Sequence, residues 1–342
     1  MRVLMLGGSG LISSETTRAL LELGHDTYAL TRGKRAFRIS EVSGRSVKNV
    51  VADRHDKTAL KKVLAEVDPE VVIDLICYQP QEMKDLIEVR NRSLKHLVFV
   101  STVCALGGEL AQHPATGTTE RRPSFDYGRN KMILEDIVLD ASRSGIIAGT
   151  NFRPSSTDGP GAWLSGSLWC RHPILFELLK KQRPIIVCAG GVLCHHGSTR
   201  DVGLALALAC GRSNTFGRTY NVVGDECITQ AEWTRRTASG IGAPEPKIVE
   251  IPADWLVKKL KGWNGLGFLQ YIWRYHGCFD TSELKRDIPE WRPELKIADN
   301  ARLTWEWGVS SGEWEKAQGA GVQVPEAVPE KLIEDYTRAA GA

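Results

Sequence analysis

Val3-Leu4-Met5-Leu6-Gly7-Gly8-Ser9-Gly10-Leu11-Ile12-Ser13 is the stretch that decides the fold of this chain. Four apolar residues in a row make a short strand buried on both faces. Glycines then carry the chain through a turn. From Ser13 to Leu23 the apolar positions follow helical spacing, and Gly24 supplies a stop. Gly7 allows a tight turn, and Gly10 lets backbone approach a pyrophosphate. The first helical residues, Leu11 and Ile12, add amide donors and the favourable end of the helix dipole. Ser13 holds the position of a third glycine and is still small enough for close helix–strand packing. The stretch reads as a dinucleotide-binding turn; an ordinary glycine turn is the bland alternative.

Strands and helices alternate outward from it. Thr27–Thr31, Val47–Ala52, Val71–Ile76, Leu97–Val100 and Ile147–Phe152 read as strands. Thr58–Val67, Gln81–Ser93 and Tyr127–Ser142 read as helices. Near-continuous apolar strands between helices predict an α/β fold with a doubly wound parallel sheet of Rossmann type. Such sheets bind ligands at the carboxyl ends of their strands. Residues 1–160 form this domain, with returning segments near 199–224. Residues 161–198 and 225–342 make a smaller, mixed C-terminal substrate lobe. All ten tryptophans lie at or beyond Trp163, where the alternation becomes irregular.

Composition excludes several classes. A net charge of +3 is too slight for a nucleic-acid or membrane-surface protein. The longest apolar run, Val202–Cys210, is far short of the ~20 residues that span a bilayer. Met1-Arg2 runs straight into a strand, so no secretory leader is expected. The eight cysteines form no CxxC pair and read as reduced thiols in the cytoplasm, with no metal expected.

The second strand ends at Thr31-Arg32-Gly33-Lys34-Arg35. An acidic residue there would bond the ribose diol of NAD, and none is present. Arg32, with Lys34 or Arg35, can neutralise the 2′-phosphate of NADP; Arg32 can equally stack on adenine. The cofactor is therefore NAD or NADP. Asp53, after the third strand, can accept from the adenine amino group or be a plain surface-loop aspartate.

Tyr127-Gly128-Arg129-Asn130-Lys131 places a tyrosine and a lysine on one helical face. A nearby ammonium favours the phenolate and lowers the tyrosine's pKa. Thr102, after the fifth strand, can hydrogen-bond the substrate oxygen whose proton Tyr127 moves. By itself this spacing is a common helix surface. The glycine loop and Thr102 at strand ends of the same unit make it a catalytic set.

These features together resemble the extended short-chain dehydrogenase/reductase superfamily, in its NAD-dependent epimerase/dehydratase branch. The resemblance rests on Gly7–Ser13, "VVADRHD" with Asp53, "LVFVSTVCALGG" with Thr102, "YGRNKMILE", "NFRPSSTDGPG", "FDTSELKRDIPEWRPELKI" and "TWEWG". It implies that Arg153, Pro154 and Ser155 line the nicotinamide. It also implies a homodimer through the helix of Tyr127 and the helix near Gln81–Ser93. The "LTRGK" turn and "VIDLICYQP" resemble a subgroup that includes a chloroplast stem-loop RNA-binding protein. That motivates a non-catalytic RNA- or metabolite-binding alternative, against which the retained Thr102, Tyr127 and Lys131 and the small net charge argue.

Departures from the pattern bear on substrate. Members that dehydrate nucleotide sugars carry Asp-Glu after the threonine; here stand Val103 and Cys104. Diphosphate-gripping arginines fall at Cys194, seven residues before Asp201, and near Gln270, although Arg274, Arg171 and Arg183 can restore a grip. A sugar, aminosugar, cyclitol or nucleoside without a diphosphate is the expected small-molecule substrate. Cys104, His195 and His196 are candidate proton carriers, and Trp163 and Trp169 candidate stacking residues. Each also has a structural reading, as an inert thiol, satisfied histidines or core aromatics. Two reaction classes follow. The first expectation is redox-neutral epimerisation or dehydration through a transient ketone, which the resemblance favours. The other is net NADP(H)-dependent ketone reduction or alcohol oxidation, which the residues after Thr31 favour.

Overall fold

A computed structural model of the chain describes residues 1–166, 168, 170–262, 266–319 and 329–341. Seven strands form one parallel sheet: β1 (Arg2–Leu6), β2 (Asp26–Thr31), β3 (Lys48–Val51), β4 (Val71–Asp74), β5 (His96–Val100), β6 (Ala148–Pro154) and β7 (Arg218–Val222). Their spatial order is β7-β6-β5-β4-β1-β2-β3. Strand order reverses at β1, which pairs with β2 on one side and β4 on the other, Val3 lying between Thr27 and Val71. The Rossmann-type sheet expected from the sequence is thus present.

Helices cover both faces, because the sheet's central strands are apolar on both. α1 (Leu11–Glu22) and α5 (Thr199–Ala209) pack on one face with Val3, Met5 and Phe152. α2 (Lys57–Val67), α3 (Pro80–Val89) and α4 (Asp126–Arg143) cover the other with Leu4, Leu6 and Phe99. Residues 282–291, expected in the substrate lobe, return to the sheet. Leu284, Ile288 and Trp291 pack on the α1/α5 face, and the Trp291 indole donates to the Asp201 carbonyl at 2.8 Å. A separate apolar cluster around Phe176, Trp233 and Ile251 builds the lobe.

One buried ionic network fixes the helix that carries Tyr127. Glu135 is fully buried and accepts from Arg153 at 2.6 and 2.8 Å, from Ser101 at 2.5 Å and from Arg121 at 3.2 Å. It ties α4 to the ends of β5 and β6. Truncating such a carboxylate would strand a buried guanidinium, at a cost of about 3–5 kcal/mol.

Candidate functional site

The chain ends β1 at Gly7, whose φ of +95° only glycine adopts freely, and a Cβ there would lie 2.4 Å from Ile76. Gly10 caps α1. Its N–H donates to the Ser13 hydroxyl at 2.7 Å, and that hydroxyl donates back to the Gly10 carbonyl at 3.1 Å. Ser13 thus serves as a local clasp beneath the turn, which is why a residue larger than glycine fits there. Arg32, Lys34 and Arg35 are exposed beyond β2. Asp53 is also exposed, with one carboxylate oxygen accepting the His55 N–H at 3.0 Å. These groups suit a dinucleotide: a glycine turn, a helix N-terminus and unburied cations at the ribose end.

Carboxyl ends of β4, β5 and β6 open into a cavity of ≈ 370 Å³, lined by Ile12, Leu75, Thr102, Cys104, Tyr127, Lys131, Pro154 and Ser155 among others. Two segments, the turn after β5 and the first turns of α4, therefore bring Thr102, Tyr127 and Lys131 to one cavity. Gly128 makes this approach possible. A Cβ on it would lie 2.4 Å from the Cys104 carbonyl, so glycine lets α4 press against the turn that follows Thr102.

Lys131 donates to the carbonyls of Cys77 and Val100, each at 2.9 Å. Its ammonium also lies 4.9 Å from the Tyr78 ring centroid and 4.8 Å from that of Phe99. Burial lowers its pKa to about 8, against the pull of Asp74 and other nearby acids. Tyr127 behaves differently from expectation. Burial, then the neighbouring Cys104 and Tyr78, raises its pKa, and only Thr102 offsets this. The lowering expected from Lys131 is not among the influences on this phenol.

Two other expectations are corrected. Arg153 does not line the cavity; its guanidinium is turned under the sheet end, onto Glu135 and the Gly117 carbonyl. Trp163 is core, packed with its ring centroid 5.4 Å from those of Phe176 and Trp307. Trp169 lies outside the described residues. Cys104 lines the cavity, but burial raises its thiol to about 11, so it stays protonated and inert at neutral pH.

His195 and His196 both line the cavity, with opposite chemistry. The His195 Nε2 donates to the Gly224 carbonyl at 2.7 Å, and its Nδ1 accepts the Phe279 N–H at 3.2 Å. Both nitrogens are committed to backbone, and burial lowers the ring's pKa to about 4. Cys227 and Cys278 bring their sulfurs within 4.8 Å of this ring, yet neither nitrogen is available for a metal. His196 Nδ1 instead donates to Asp158 at 2.8 Å. Burial alone would push His196 down, but Asp158 and the adjacent Cys194 outweigh it and hold the ring up at about 10. Asp158 also accepts from the N–H and hydroxyl of Ser165, at 2.8 and 2.7 Å.

Sequence reasoning missed Asp158 and the Arg54–Asp74–Glu82 cluster. Arg54 is buried, bonds Asp74 and reaches Glu82 at 3.2 Å. Asp74 alone gave a signal, as the charge interrupting an apolar strand. Asp158 meets His196 only because Ser198 pairs with Asp158 across a short parallel bridge, which no local pattern announces.

The model of the NAD dependent epimerase/dehydratase family matches residues 3–222. The 2′-dehydrokanamycin reductase of Streptomyces kanamyceticus is 26% identical over 85% of this chain and 80% of its own length. A chloroplast stem-loop binding protein of 41 kDa from Arabidopsis thaliana is 22% identical over 92% of this chain and 81% of its own. Among solved structures, a UDP-glucose 4-epimerase from Stenotrophomonas maltophila with bound NAD superposes with a TM-score of 0.74. It covers 92% of this chain and 99% of its own, at 18% identity.

Proposed function

We propose, from the premise that this chain belongs to the NAD dependent epimerase/dehydratase family, that it is an NAD(P)-dependent oxidoreductase working at one secondary alcohol or ketone carbon. The observation that carries this reading is the convergence of Thr102, Tyr127 and Lys131 on one cavity at the strand ends. When bound, the dinucleotide supplies or accepts hydride at that carbon. Tyr127 gives its phenolic proton to the forming alkoxide in reduction, or takes it back in oxidation. A phenol held above its ordinary pKa is suited to the first role. Thr102 holds the substrate oxygen, and Lys131 is placed in the same cavity to hold the ribose.

Net oxidoreduction is preferred to a redox-neutral route through an adjacent C–H. That route needs a second proton carrier beside the substrate. Cys104 is protonated and buried, and His195 has both nitrogens committed. His196 is an ion-paired cation and a poor base. The absence of an acid after Thr31 points to NADP as the exchanging coenzyme. The matched reductase spans most of this chain, which agrees with the reading.

Purified protein should release little nucleotide on denaturation, and it should reduce ketones faster with NADPH than with NADH. Stoichiometric tightly held NAD⁺ would return the assignment to a redox-neutral enzyme. Tyr127→Phe should lower turnover about a thousandfold while nucleotide binding persists. Full activity in that variant would remove Tyr127 from the chemistry.

A further inference from the structure

The cavity that holds Tyr127 also runs along His196, and its charge is one-sided. Its described lining includes Lys131, Arg171 and His196 but no aspartate or glutamate. Lys131 is committed to the carbonyls of Cys77 and Val100. Arg171 bonds the carbonyls of Thr157 and Trp163, at 2.5 and 3.0 Å, and so secures its own loop.

His196 is placed differently. Asp158 holds its Nδ1 from behind and does not itself line the cavity. The ring stacks on Trp233 with centroids 5.1 Å apart, which fixes its plane. Cys194 lies beside it on the cavity side. With Nδ1 given to Asp158, the ring's remaining N–H is left to the cavity-lining Cys194 sulfur, a weak partner that an oxyanion can displace. In low dielectric a charge-assisted bond to that oxyanion is strong. One such donor suits one carboxylate or phosphate group rather than a diphosphate. Leu193, Ile272, Trp273 and Phe279 add apolar wall. A polyamine would meet cations with no facing carboxylate.

We propose that His196, oriented by Asp158, is the anion-recognising group of this cavity, and that the substrate is a small, largely apolar hydroxy or keto compound bearing one oxyanion, either a carboxylate or a phosphate monoester. The proposal rests on the reading of Tyr127 as the proton-transfer group, since that reading makes the cavity a substrate site.

Calorimetric binding to NADP⁺-saturated protein tests it, with three probes: 3-phenylpropanoate, its neutral amide and phenyl phosphate. At least one acid should bind about tenfold or more tightly than the amide. The tighter of the two acids identifies the oxyanion. In His196→Gln the acid should fall to the amide's affinity while the amide is unchanged. Tyr127→Phe should keep the preference. Equal binding of acids and amide by the wild type, or no measurable binding of either acid, overturns the proposal, and this arm needs no variant to fold. An undiminished preference in His196→Gln overturns it as well. Full turnover in Tyr127→Phe alongside an intact acid preference would sink only the reading of Tyr127.

Discussion

Lys131 and His196 are buried cations lining the same cavity, and the protein moves them in opposite directions. Lys131 faces neutral carbonyls, and Asp74, the carboxylate that acts on it most, is bonded to Arg54. Desolvation therefore dominates, and its pKa falls. His196 has a whole carboxylate at 2.8 Å, and its pKa rises despite equal burial. The cofactor-facing half thus keeps a cation held by dipoles rather than by an ion pair, so that a ribose hydroxyl can replace a carbonyl among its acceptors. The lobe-facing half holds one locked by an ion pair. What separates them is the distribution of carboxylates, not depth.

Breaking the pair in the lobe should have the largest effect on the folded state. Asp158→Asn leaves a buried histidine without its counter-charge, and the two Ser165 bonds weaken with it. A loss of about 3–5 kcal/mol is expected, read from chemical denaturation. A loss under ~1 kcal/mol would mean that the pair contributes little beyond what its own desolvation costs. Glu135→Gln probes the other half at comparable burial. It should cost a similar amount and also lower turnover, because α4 positions Tyr127 and Lys131.

The pH response sharpens the contrast further. The folded pKa of Lys131 lies below its unfolded 10.5, so between about 8 and 10.5 the unfolded chain binds the extra proton. Stability from this group then rises with pH, by about 3 kcal/mol in full. Activity should fall as pH rises through about 8 if the Lys131 ammonium is what the reaction needs. His196 has the opposite sign. Its stabilisation is complete below 6.5 and is lost as pH rises through about 10. Between about 8 and 10 these two contributions offset each other, while buried thiols such as Cys104, raised to about 11, lower wild type and variant alike as pH rises past 9. The stability gap between wild type and Asp158→Asn should therefore narrow from neutral to alkaline pH. A variant that parallels wild type from neutral to alkaline pH would show that the two groups do not titrate as opposed partners.

This contrast also explains what was legible in the sequence. The cofactor half is written locally. The turn at Gly7–Ser13 and the i, i+4 pair Tyr127/Lys131 are short-range spacings, and parallel β–α alternation alone brings them to one edge. Predicted strands and helices agree with the observed ones to within a few residues, because both faces of the sheet are buried. The lobe is written across distance. His196 was visible only as one of two adjacent histidines. Its role depends on Asp158, which is 38 residues away and brought close by a two-residue bridge. Arg153 misled for the same reason. Its place in a familiar segment suggested the nicotinamide, but Glu135, 18 residues earlier, captures its guanidinium. Trp163 was open to two readings, stacking residue or core aromatic, and the remote Trp307 and Trp314 packed against it decide for core.

The smallest expected effect tests the outer rim of the cofactor half, where groups are exposed and screened. Arg32 follows β2, and no residue after Thr31 supplies the carboxylate that would favour a free ribose diol. Arg32→Ala should weaken NADP about tenfold and leave NAD nearly unchanged, the size expected for one charge-assisted contact to a solvated phosphate. If the guanidinium instead stacks on adenine, both coenzymes should weaken together, since the ring is common to them. Added salt separates the two cases independently. Phosphate pairing fades with ionic strength, so the wild-type preference for NADP should shrink in salt while that of Arg32→Ala stays flat. A preference unchanged by both the substitution and salt would move the discriminating charge to Lys34 or Arg35, the remaining cations of the turn.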